Sequence, residues 1–149
     1  MKQLSLILHN IRSAYNVGAI FRTADAAGVK KIYLGGYTPT PAHPKVAKTS
    51  LGAEKSVVWE KCFSAWRLID KLKSKGVKIA ALEQTPASLD YRRFKPVFPL
   101  AVIVGNEVKG LSVTIIKRAD SVCHIPMRGK KESLNAAVAA GVFIYKILE

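Results

Sequence analysis

The sequence predicts an α/β domain built on a mainly parallel β-sheet covered by helices. Three observations carry that expectation. Short apolar runs alternate with stretches of helical periodicity along the chain. One run, Leu100 to Val104 (LAVIV), is apolar at every position, as a strand covered on both faces must be. The last segment, Ile125 to Leu148, reads as a loop feeding a nearly all-apolar helix, which has no natural solvent face.

Taken in order, Leu4 to Leu8 is a buried strand ending in His9-Asn10. From Asn16, a good N-cap, a helix runs through Ile20, Phe21, Ala24 and Ala27 and stops at Gly28, a natural residue to follow a helix. Lys31 to Leu34 is a second strand. Gly35 to Pro44 holds two glycines and three prolines, so it is expected to be a long exposed loop, and such loops are commonly functional. Lys45 to Glu54 is ambiguous, compatible with a short helical turn, and Val57 to Trp59 is a strand. Phe63 to Lys75 is amphipathic, with Ala65, Trp66, Leu68, Ile69 and Leu72 on one side and lysines on the other, closed by Gly76. Val77 to Leu82 is a strand, followed by a Pro-containing connection and then Leu100 to Val104. Gly105 to Gly110 is a tight turn, Val113 to Ala119 a short helix and Ser121 to Ile125 the last strand. Ser133 stands where the N-cap of the terminal helix belongs, so the loop before it presents unpaired N–H groups to a ligand.

With 149 residues, the chain is expected to be a single domain over 1–149 that needs no disulfide or metal to hold its core. Cys62 and Cys123 are far apart, with no spacing that suggests zinc or a redox pair, and no metal site is expected. No charged-then-apolar leader opens the sequence, and its longest apolar run, Ala136 to Tyr145, is too short to span a bilayer, so a soluble cytoplasmic protein is expected. Charge is the unusual property. Lys and Arg number 24 against 10 Asp and Glu, a net charge of +14, which predicts attraction to a polyanion, most commonly nucleic acid. The alternative is a basic solvated surface with no such partner. The terminal helix adds a second expectation: one domain core covers only one of its faces, and a homodimer is the simplest cover for the other.

Ligands of open α/β sheets bind beyond the carboxyl ends of strands, which here read His9-Asn10, Gly105-Asn106-Glu107 and Ile125-Pro126-Met127. Neither G-x-G-x-x-G after the first strand nor G-x-x-x-x-G-K-[ST] is present, which weighs against an ordinary dinucleotide site and a P-loop. Asn10 to Val29 (NIRSAYNVGAIFRTADAAGV), Val104 to Ser112 (VGNEVKGLS) and Ile125 to Ala140 (IPMRGKKESLNAAVAA) instead resemble, in order and spacing, the three motifs of the SpoU/TrmH family of RNA ribose 2′-O-methyltransferases in the SPOUT superfamily. Lys48 to Glu54 (KTSLGAE) resembles that family too. Val108 departs from a frequent glycine, and Ala136-Ala137 from a commoner Val-Ser pair.

The resemblance implies a SPOUT fold with a C-terminal deep trefoil knot, a homodimer, S-adenosyl-L-methionine (AdoMet) as cofactor, and methyl transfer to a ribose 2′-hydroxyl of tRNA or rRNA. It implies catalytic roles for Arg22, Asn16, Glu107, Ser133 and Asn135. Around the cofactor it places Leu82, Gly105, Ile125, Met127 and Leu134. A guanidinium stays protonated in proteins, so Arg22 is better suited to holding a phosphate or a developing oxyanion than to acting as a base. Without the motif, Arg22 reads as a surface partner of Asp25, Asn16 as a plain N-cap and Glu107 as a solvated turn residue. RNA contacts are expected from Arg12, Lys30, Lys31, Lys45, Lys48, Arg128, Lys130 and Lys131, through phosphate neutralisation. Relatives often carry an added RNA-binding segment, and none is expected here. Two other functions stay open: a non-catalytic basic RNA-binding protein of the same fold, and a SPOUT enzyme that methylates a base.

Overall fold

The computed structural model describes residues 2–149. Seven parallel strands form one sheet: β1 (Leu4–His9), β2 (Lys31–Gly35), β3 (Val58–Cys62), β4 (Lys78–Leu82), β5 (Leu89–Asp90), β6 (Leu100–Val104) and β7 (Ser121–His124). Their order across the sheet is β3-β2-β1-β6-β4-β7-β5, and β6, the run apolar at every position, is its central strand with all five residues buried. Among the described residues five α-helices cover the faces: α1 (Ala14–Ala27), α2 (Pro44–Ser50), α3 (Ala65–Ser74), α4 (Val113–Arg118) and α5 (Ala136–Leu148).

Strand pleating sorts the core into two layers. Leu4, Leu6 and Leu8 of β1 and Leu100, Val102 and Val104 of β6 face α1 and α5, where Phe21, Phe143 and Ile147 pack. The alternate residues Ile7, Ala101 and Ile103 face α3 and α4, meeting Ile69, Leu72 and Ile115. The first strand, too short to show a period by itself, is thus buried on both sides because every connection crosses over a face.

Several boundaries differ from the sequence expectation. Asn16 is not the N-cap of α1. Ser13 is, its hydroxyl accepting from the Asn16 N–H at 3.1 Å, which starts the helix three residues earlier. Likewise Ser133 does not cap α5; Asn135 does, its Oδ1 accepting from the N–H groups of Ala137 at 2.9 Å and Val138 at 3.2 Å. The Asn135 amide thus stands at the start of the apolar helix and not inside it. Trp66 is 39% exposed rather than part of the apolar side of α3, and the guanidinium groups of Arg67 and Arg118 lie 5.1 Å and 4.9 Å from its ring centroid. The Pro-containing connection after β4 holds the two-residue strand β5 and a 3-10 turn at Tyr91–Arg93, both too short to leave a periodicity. Helix α5 buries Ala140, Phe143, Ile144 and Ile147, whereas Val138, Val142 and Tyr145 form a stripe at i, i+4 and i+7 that the chain leaves exposed. No helix among the described residues is long and apolar enough to cross a membrane.

Candidate active site

Because the strands run parallel and in register, Leu8, Val104, Leu82 and Cys123 end side by side. The loops that follow Leu82, Val104 and Cys123 enclose a cavity of about 530 Å³, of the size that takes a small molecule. Leu82, Gly105, Ile125, Met127 and Leu134, the five residues placed around a cofactor by resemblance, all line it, and so do Glu107 and Ser133. The glycine is there for a reason internal to the loop. A Cβ on Gly105 would lie 2.8 Å from the backbone of Gly110 and 2.7 Å from Leu111 Cδ2, so the turn closes on itself at this point. Glu83, a residue no motif singles out, fastens the far end of that turn. Its Oε2 accepts from the Leu111 N–H at 2.8 Å, and its Oε1 accepts from the Gln84 N–H at 3.0 Å.

At the mouth of the cavity one chain of hydrogen bonds joins all three motifs. Asn135 Nδ2 donates to Asn16 Oδ1 at 3.1 Å, and Asn16 Nδ2 donates to Glu107 Oε1 at 3.3 Å. The Glu107 carboxylate also accepts from the backbone N–H groups of Arg12 at 3.0 Å and Ser13 at 3.2 Å, sitting against the start of α1 where the helix dipole favours a negative charge. Burial acts to raise the Glu107 carboxyl, but these N–H donors and the Asn16 amide together outweigh it and hold the group below its ordinary value. A carboxylate so held is a poor proton acceptor and a good anchor.

Arg22 stands apart from this constellation. Six residues beyond Asn16, it lies about 9 Å further along the helix and on another side of it. It is exposed and lines a separate hollow of about 550 Å³ between α1, α2 and α5, with Lys48, Leu51 and Tyr145. It makes no ion pair with Asp25 among the described residues, so the alternative reading of a surface pair does not hold. Nor does Glu107 orient Arg22 within one chain. Ser133 lines the cavity without capping a helix.

The basic residues separate into groups. Arg128, Lys130 and Lys131 are exposed in the loop that leads into α5, at the cavity end of the sheet, and Arg12 lies beside the cavity at the start of α1. Lys48 shares the Arg22 hollow, and Lys45 Nζ lies 5.7 Å from the Tyr15 ring centroid. Lys30 and Lys31 are not near the motif ends in space. They precede and begin β2, at the amino end of the sheet opposite the cavity, and Lys31 is engaged by Glu60 at 2.7 Å. A cluster of three or more His, Cys, Asp or Glu able to hold a metal ion is absent among the described residues.

The model of the SpoU rRNA Methylase family matches residues 3–145. The chain belongs to that family. A relative in Bacillus subtilis, named for the TrmH family of tRNA/rRNA methyltransferases, is 32% identical over 142 residues, which is 95% of this chain and 57% of the relative. This SpoU-family chain thus spans a little over half the length of the curated relatives it matches. Among solved structures, an AdoMet-bound rRNA methyltransferase from Sinorhizobium meliloti superposes with a TM-score of 0.91 at 29% identity, over 97% of this chain and 55% of that one. A second structure, concerned with 2-OH methylation of C/U34 on tRNA, superposes with a TM-score of 0.86 at 25% identity, over 98% of this chain and 94% of its own. Both agree with the seven-stranded parallel α/β architecture described above.

Proposed function

We propose that this SpoU-family domain is an AdoMet-dependent methyltransferase that modifies a ribose 2′-hydroxyl of tRNA, acting in the cytoplasm as a homodimer. The observation that carries the reading is the Asn135–Asn16–Glu107 chain at the mouth of a cavity walled by the five residues expected around the cofactor. Choice of tRNA over rRNA is supported by the neighbour of nearly equal length that is concerned with 2-OH methylation of tRNA. The trefoil knot, and a single SPOUT domain over 1–149, belong to the same proposal.

The cavity suits the cofactor. Leu82, Ile125, Met127 and Leu134 offer apolar walls for an adenosine, and the closely turned backbone at Gly105 brings main-chain polar groups to its edge. When bound, AdoMet supplies a methyl group carried on a sulfonium. The protein's part is to align the hydroxyl, because a neutral hydroxyl is a weak nucleophile and depends on orientation and proton removal. Asn16 and Asn135 are fixed by their mutual bond, by Glu107 and by the α5 cap, and each keeps one N–H free to hold the ribose. Glu107 positions Asn16 rather than taking the proton, which leaves to water or to a phosphate oxygen of the RNA. Arg22 stabilises the developing oxyanion or the adjacent phosphate, and it does so from the partner subunit. The exposed Val138, Val142 and Tyr145 stripe beside Arg22 is the surface a second copy covers.

The test is incubation with methyl-labelled AdoMet and, separately, bulk tRNA and rRNA, followed by digestion to nucleosides. A 2′-O-methylated nucleoside from tRNA is expected. A methylated base, label in rRNA alone, or no transfer despite measurable cofactor binding would replace this reading with the corresponding alternative.

A further inference from the structure

Beside the cavity lies a hollow of about 480 Å³ lined by Arg12, Tyr37, Asn106, Val108 and Lys109. Asn106, Val108 and Lys109 line the cavity as well, so the turn after β6 is a wall common to both. Tyr37 comes from the long loop after β2, is 56% exposed, and packs into neither core layer. It is nevertheless held at both ends. Its backbone N–H donates to Asn10 Oδ1 at 3.2 Å, and its phenolic oxygen accepts from Asn106 Nδ2 at 2.8 Å. Asn106, only 8% exposed, uses its entire amide: Nδ2 also donates to the Asn10 carbonyl at 2.9 Å, while Oδ1 accepts from the N–H groups of Val108 at 2.9 Å and Lys109 at 2.8 Å. The backbone around the ring is equally committed. Asn10 and Gly36 both have positive φ, 55° and 61°, and a Cβ on Gly36 would lie 1.8 Å from Asn10 Oδ1.

The ring adds nothing to either core layer; its fold-side use is confined to the phenolic oxygen that satisfies Asn106, and its face is left free. RNA binding has a use for such a face: unstacked bases are held on aromatic faces, with neighbouring cations on the phosphates. The Arg12 and Lys109 side chains are without ion-pair partners among the described residues and flank the ring. We infer that Tyr37 is a stacking platform for the base of the RNA nucleotide next to the acceptor ribose, with Arg12 and Lys109 holding its phosphates. The inference rests on the methyltransferase reading above, since the common wall sets this hollow directly beside the proposed cofactor. Every base has a stacking face, so the platform contributes affinity and register rather than sequence choice. The phenolic proton, not used toward Asn106, remains available to the RNA.

Binding of bulk tRNA by fluorescence anisotropy, paired with calorimetry of S-adenosylhomocysteine, tests this. Tyr37→Ala is expected to weaken RNA binding about tenfold, the scale of one stacked base, and to leave S-adenosylhomocysteine affinity unchanged. Tyr37→Trp keeps the stacking face and retains binding, and Tyr37→Phe, which loses the Asn106 anchor, falls between. Lys109→Ala lowers the slope of log affinity against log salt by about one. Irradiation with bromouridine-substituted RNA crosslinks the peptide containing Tyr37. Tyr37→Ala binding RNA like the wild type overturns the inference, and so does joint loss of RNA and S-adenosylhomocysteine, which marks the loop as structural. If the wild type transfers methyl groups and Tyr37→Ala is unaffected, only this inference fails. If the wild type binds S-adenosylhomocysteine but no RNA, the proposed function fails with it.

Discussion

The two regions that carry the motif residues are built on opposite plans. At the carboxyl ends of the strands, Asn16, Glu107 and Asn135 answer one another's hydrogen-bonding groups, and the surrounding turns are fastened by Glu83 and Asn106. On the α1–α2–α5 face, Arg22 has no ion-pair partner among the described residues, Tyr145 is 55% exposed, and a stripe of apolar side chains meets water. The first region is closed by hydrogen bonds within one chain, whereas the second leaves a cation and an apolar stripe open to solvent. That contrast is what supports the proposal of a site assembled between two copies.

The largest effect should come from the open half. Arg22→Ala is expected to lower single-turnover methyl transfer by about 10²–10³-fold, the scale of removing one oxyanion-stabilising donor, while S-adenosylhomocysteine still binds as in the wild type. Mixing Arg22→Ala with Asn16→Ala subunits should restore activity that neither has alone, because one of the two sites in a mixed dimer then receives both intact residues. Absence of complementation in subunits shown to exchange would place Arg22 and Asn16 in the same chain's site and end the composite reading. Next in size is the stripe. Val142→Glu places a charge in the middle of the proposed interface, and sedimentation should show a folded monomer with activity lost, since burying an unpaired carboxylate is costly. A wild-type protein that is itself monomeric would leave the stripe without its proposed cover.

How much of this was legible in the sequence follows from the same contrast. The central strand and the two-layer core were, because five consecutive apolar residues have few other uses and the pleat does the rest. Residues that meet by local sequence were misassigned by a few positions, Ser13 and Asn135 displacing Asn16 and Ser133 as caps, since several polar residues near a helix start compete for the same N–H groups. Long-range partners were invisible. Nothing in the residues around Glu83 tells that it will hold Leu111, or that Asn106 will reach Asn10 and Tyr37 from the other side of β1. Lysines carry even less positional information, which is why Lys30 and Lys31, close to a motif in sequence, lie at the opposite end of the sheet.

A smaller effect separates the loop from its contents. In Gly105→Ala the new methyl group would meet the backbone of Gly110, which cannot rotate away as a side chain would. Opening the turn should lower stability by about 1–3 kcal/mol, the usual range for overpacking, and weaken S-adenosylhomocysteine at the same time. Thermal unfolding and calorimetry on one preparation check both. A variant that keeps the ligand's affinity would show that the turn's closure serves the fold and not the cavity.

The smallest effect concerns the closed half and depends on pH. Glu107→Gln keeps the shape of the side chain but removes the charge and turns one acceptor into a donor facing backbone N–H groups. Loss of a capping acceptor at a helix start typically lowers stability by about 1 kcal/mol, which is the size expected at neutral pH. The sign of its pH dependence follows from a carboxyl held below its ordinary value of 4.5 in the folded protein. The unfolded chain then binds the proton more readily, so the charged group contributes its full stabilisation above that value and loses it as pH falls through the lower, folded one. The difference in unfolding midpoint between wild type and Glu107→Gln should therefore be constant near neutrality and shrink as the medium is acidified below 4.5. Denaturant titrations at a series of pH values measure it. A difference that grew on acidification would mean that burial, and not the donors on α1 and Asn16, governs this carboxylate, and the hydrogen-bond chain would lose its fixed centre.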